Sequence, residues 1–136
     1  MSTRIESDHV MIKASNKEVF DYLNDFNNIK ELLPQDKISD WKSTKDDCSF
    51  KIQNAAKIPL IKEKTELDQK IHIVSGDDAP FPFTLVIHIE KNEGEEQSKA
   101  FMIFEGEINA FLKMMVVKPL TNLFNYMSHK LKEKLD

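Results

Sequence analysis

The C-terminal stretch Ala110 to Leu135 sets Leu112, Met115, Val116, Leu120, Leu123, Phe124, Met127, Leu131 and Leu135 at helical spacing. A helix of about 26 residues is about 39 Å long, so the rest of the chain must supply an apolar surface of similar length. Asn109 is placed to cap its start. Pro119 deprives the Met115 carbonyl of its helical partner and predicts a kink. Lys113, Lys118, His129, Lys130, Lys132 and Lys134 mark the opposite side, and the last lysines complement the helix dipole. Glu133 and Asp136 dilute this basic stripe, which reads as a solvated face rather than a surface for an anionic partner or a membrane.

Upstream the hydrophobic period changes to two. Strands are predicted at Ser39–Ser43, Cys48–Asn54, Ile58–Thr65, Ile71–Ser75, Phe83–Lys91 and Ser98–Ile108. Between them lie turn residues: Lys45 to Asp47, Leu67 to Gln69, Gly76 to Pro80, and Asn92 to Gly94. Links this short join antiparallel neighbours. The alternation assigns an inner side to Trp41, Cys48, Phe50 and Ile52, to Phe83, Leu85, Ile87 and Ile89, and to Met102, Phe104, Gly106 and Ile108. In Ile58–Thr65 either Leu60 or Ile61 faces in, and Glu63 follows Ile61.

The chain opens with another strand, Arg4 to Lys13, with a bulge near Asp8 and His9. Ser15 and Glu18 then form a capping box, followed by Val19, Phe20, Leu23 and Phe26 at helical spacing. A second short helix is predicted at Asn28 to Leu33, stopped by Pro34. The fold class is therefore α+β: a seven-stranded antiparallel sheet, two short helices between its first and second strands, and one long C-terminal helix, in a single domain over residues 1–136.

Composition removes several functions. A net charge of -4 argues against nucleic-acid binding, which needs a basic field. Three glycines leave no phosphate-cradling loop. Cys48 is the single cysteine, so no internal disulfide is expected. The N-terminus has no signal-like apolar run, and no stretch reaches the roughly 18 apolar residues of a membrane span. A cytoplasmic location without integral membrane association is the expectation. His9, His72, His88 and His129 are scattered, so no metal site and no cofactor are expected. Cys48 reads as an inert buried thiol, Glu105 and Glu107 as outer-face carboxylates, and no catalytic residue is assigned. Tyr126 reaches either a ligand or solvent. Val86, Phe101 and Ile103 have outward parity and form a small apolar patch that would support a weak homodimer.

The order strand, two short helices, meander and long helix resembles the helix-grip fold of the START-like (SRPBCC) superfamily, over essentially the whole chain. Val10 to Ser15 running into Lys17 to Phe20, Leu23 to Asp25, Phe101 to Gly106 and Phe111 to Met115 carry the resemblance. That superfamily includes polyketide cyclase/dehydrase-like proteins, plant pollen-allergen-type carriers and lipid-transfer domains, and this chain resembles its small bacterial members. The resemblance implies a cavity between sheet and helix for a hydrophobic or amphipathic small molecule, lipid-like or polycyclic. Trp41, Phe50, Phe83, Leu85, Ile87, Met102, Phe104, Met115, Pro119, Leu123 and Tyr126 are the expected ligand contacts, with Met114 beside Met115. Binding without catalysis is the leading expectation. A cyclase-type enzyme using the same cavity, with Glu63, His72 or Tyr126 inward, and a closed-core interaction module are the alternatives.

Overall fold

The computed structural model describes residues 2–52, 56–92 and 96–136. In chain order these form β1 (Thr3–Glu6), β2 (Val10–Ile12), α1 (Asn16–Asn24) and a 3₁₀ helix (Phe26–Leu32). The meander follows as β3 (Ile38–Ser43), β4 (Asp47–Ile52), β5 (Lys57–Glu66), β6 (Lys70–Ser75), β7 (Phe83–Lys91) and β8 (Ser98–Gly106), and α2 (Ala110–Leu135) closes the chain. One curved antiparallel sheet, ordered β1-β8-β7-β6-β5-β4-β3 with β2 also on β8, wraps α2.

Among the described residues the sheet has eight strands rather than the expected seven. The first predicted strand splits at Ser7–His9, the site read as a bulge, and both pieces pair with β8. The Ser7 side chain bridges the break, its Oγ accepting from the Met102 N–H at 2.8 Å while its own N–H donates to the Met102 carbonyl at 2.9 Å. Ser128 on α2 donates to the same Ser7 Oγ at 3.0 Å. This corner also holds the helix through Asn125, which accepts from the Asp8 N–H at 2.8 Å, and through His129, 2.9 Å from the Asp8 carboxylate.

The caps form as the side chains dictate. Ser15 Oγ accepts from the Glu18 N–H at 3.2 Å, and Asn109 Oδ1 from the Leu112 N–H at 2.9 Å. The second short helix is 3₁₀ and starts at Phe26, because Asp25 turns its carboxylate onto the Asn27 N–H at 3.0 Å. Through Pro119 α2 remains helical, and the Thr121 hydroxyl donates to the Val117 carbonyl at 2.7 Å.

Register settles the parity of β5. Cys48 pairs with Leu60 and Phe50 with Ile58, so Leu60 faces in, Ile61 faces out and Glu63 is exposed. Lys62 keeps the inward parity of Leu60, opposite Ile73, and is largely covered, and the register shift follows it, between Lys62 and Lys64. Its ammonium sits 3.0 Å from the Asp46 carboxylate, bonds the Asn24 carbonyl at the end of α1, and lies 5.2 Å from the Phe26 ring centre. A second irregularity, at Asp40 with φ of 53°, shifts β3 against β4 and keeps Trp41 over Phe50. The predicted continuation of β4 to Asn54, and the turn at Glu93 and Gly94, lie outside the described residues. Among the described residues no helix is long and apolar enough to cross a membrane.

Candidate functional site

Eleven residues carried the expected ligand site, and the structure divides them into three groups. Phe50, Phe83, Leu85, Ile87, Met102 and Phe104 are core residues, each at most 5% exposed. The space between sheet and helix here is occupied by aromatic rings: Phe104 lies 5.3 Å from Phe83, 6.3 Å from Phe81 and 5.5 Å from Phe124 of α2. Trp41 is half-buried and stacks on Phe50 at 6.0 Å. Gly106 leaves room for this packing, since a Cβ there would stand 3.0 Å from the Phe104 ring.

Pro119, Leu123 and Tyr126 form the second group, which lines a cavity of 470 Å³. This is an open groove along α2 rather than an enclosed space beneath it. Its other described walls are Pro34 and Lys37 after the 3₁₀ helix, Ile52 at the end of β4, and Lys118 and Asn122 on α2. Four apolar residues and a phenol ring thus meet two lysines and an amide, with no carboxylate among the described lining residues. Neither Lys37 nor Lys118 has an ion-pair partner among the described residues. The volume lies in the ordinary range of small-molecule sites. Tyr126 is 41% exposed, with its ring on the wall of the groove.

Met115 stands apart. It is 46% exposed and Met114 is 87% exposed, so neither faces the grip. Helical spacing puts Met115 on the apolar stripe of α2, but at this position in the first turns of the helix the stripe meets solvent.

The outward apolar patch is corrected at Phe101, while Val86 and Ile103 are half-buried. Phe101 is buried because its ring is sandwiched between His9 at 3.8 Å and His88 at 4.7 Å, both nearly parallel to it. His9 is held there by the Glu6 carboxylate at 2.6 Å. Burial, with Lys70 next in effect, keeps His88 below the ordinary imidazole range.

Other candidates fall into structural roles. His72 sits 2.7 Å from Glu66 on the outer face. Glu63, Glu105 and Glu107 are all exposed. Among the described residues no group of three or more acidic, histidine or cysteine side chains could hold a metal. Cys48 is 4% exposed, and its thiol is pushed up to about 12, first by burial and then by Asp47. Its reaction with a soluble disulfide reagent at pH 8 is expected to be about a thousandfold slower than that of an open thiol. Release of thiolate colour from the native and the urea-unfolded chain measures the difference.

No family model matches the chain, and the search of curated proteins gives no match. Solved structures do match. A protein of Thermus thermophilus superposes with a TM-score of 0.74 at 13% identity, covering 98% of this chain and 97% of that one. Norcoclaurine synthase of Thalictrum flavum, solved with a transition-state analogue, gives 0.72 at 12% identity, covering 99% and 94%. A START superfamily protein of Mycobacterium smegmatis gives 0.69 at 10% identity, covering 97% and 96%. The chain has the START-like helix-grip fold.

Proposed function

We propose that this chain binds an amphipathic small molecule carrying an anionic head, and that the molecule lies in the groove along α2 rather than inside the sheet. The observation that carries this reading is the pairing of an apolar floor, Ile52, Pro119 and Leu123, with two lysines lacking an acidic partner among the described residues, Lys37 and Lys118, in one cavity of 470 Å³. The apolar walls remove hydrocarbon from water, while each lysine offers a charge-assisted bond to a carboxylate, sulfonate or phosphate. The fold adds support, because START-like helix-grip structures include a synthase holding dopamine and hydroxybenzaldehyde.

Binding without turnover fits the groove better than catalysis. Glu63 and His72, which a cyclase-type reaction would need inward, lie outside it, and Tyr126 is the one titratable oxygen among its described walls. The test is calorimetric titration with dodecanoate. One-to-one binding is expected, and Asn122→Trp, which fills the groove from an exposed position, is expected to abolish it. Undiminished binding by this variant would refute the groove as the site.

A further inference from the structure

The first turns of α2 are largely open to solvent. Ala110, Phe111, Lys113, Met114 and Met115 are all exposed, and Phe111 and Met114 are 72% and 87% accessible. Lys113 shares a helix side with the buried Leu120, two turns on, yet is itself open to solvent. The tip is therefore uncovered all round except at half-buried Leu112. Three large apolar side chains exposed on one turn and a half are costly to keep in water without a partner.

Charge indicates which partner. From Ile108 to Lys132 the sequence contains no acidic residue, although the whole chain carries a net charge of -4. The lysines of α2 divide sharply. Lys130, Lys132 and Lys134 are engaged by Glu133, Asp136 and Glu31. Lys113 and Lys118, which flank the apolar tip, have no ion-pair partner among the described residues, and neither does neighbouring Lys37. The nearest acid in sequence is Glu107, just ahead of the Asn109 cap and outside the helix.

We infer that this tip is a peripheral docking site for an anionic lipid bilayer. Phe111, Met114 and Met115 enter the boundary between headgroups and acyl chains, and Lys113 and Lys118 meet the anionic headgroups. The helix face that carries Phe111 and Met115 continues through Lys118 and Asn122 into the groove, so a docked molecule presents the mouth of the groove to the lipid surface. This goes beyond the groove reading and stands whether or not the groove is filled.

The test is sedimentation of the intact chain with phosphatidylcholine vesicles, with and without phosphatidylglycerol. Binding is expected only to the vesicles that contain phosphatidylglycerol, and raised salt should weaken it. Each of Lys113→Gln and Lys118→Gln should cost about fivefold. Phe111→Glu with Met114→Glu should reduce binding on the order of a hundredfold. These side chains lie outside the core, so the double variant should keep its circular dichroism and its dodecanoate binding. Absence of vesicle binding by the parent, or equal binding by the double variant, would overturn the inference. So would a concentration-dependent dimer, lost in the double variant, in a parent that ignores vesicles, because the tip would then serve a second copy.

Discussion

Phe104→Ala is expected to destabilise the fold by about 3–5 kcal/mol, a large part of the stability of an ordinary domain. The ring is 1% exposed and is the hub of an aromatic cluster that reaches from β7 and β8 to Phe124 on α2. Removing it takes away the transfer free energy of the ring and leaves a cavity that its neighbours cannot readily close, because Phe83 is fixed on β7, Phe81 in the bend before it and Phe124 on α2. Urea midpoints at constant slope measure the loss. A change below about 1 kcal/mol would mean that the space between sheet and helix yields easily, as an interior ligand cavity would, and would weaken the case for an outer groove.

Ser7→Ala is expected to cost about 1–3 kcal/mol, far above its loss of volume. The Ser7 hydroxyl is a substitute for a main-chain acceptor: where β1 and β2 part, it takes the Met102 N–H that an unbroken ladder would have paired. Alanine leaves that buried donor without a partner and frees the Ser128 hydroxyl as well. Ser128→Ala should be milder, since Met102 keeps its bond, and the double variant should cost less than the sum. Hydrogen exchange at the Met102 amide reports the same event locally and should speed up in Ser7→Ala alone. Equal losses for the two single variants would show that the hydroxyl pair, rather than the bridge to β8, is what matters.

The elements were legible because local chemistry decides them. Asn109 and Ser15 cap helices with their own side chains, and strict alternation in Phe83–Lys91 put Leu85 and Ile87 on the inner face. Glu63 could not be oriented from the sequence, because the choice between Leu60 and Ile61 as the inward residue is fixed by pairing with β4. Phe101 had the outward parity that was read for it, yet its ring is covered by imidazoles from the β1–β2 corner and from β7.

The proposed groove is legible in the sequence only at one end. Pro119, Leu123 and Tyr126 were picked from the helix, but their partners Pro34, Lys37 and Ile52 come from two other places in the chain and show no periodicity that links them. That Lys37 and Lys118 have no ion-pair partner among the described residues is likewise a property of the assembled fold. Met115 differs for a related reason: a stripe records which side of a helix is apolar, not which of its turns are covered.

The groove itself is tested most directly by amide chemical shifts of the uniformly labelled chain during titration with dodecanoate. The expected result is a saturable set of changes centred on Ile52, Leu123 and Tyr126, with the amides of Leu85, Met102 and Phe104 left in place. Changes concentrated on Leu85, Met102 and Phe104 would put the ligand inside the sheet, and no change at all would mean that the groove binds no such molecule.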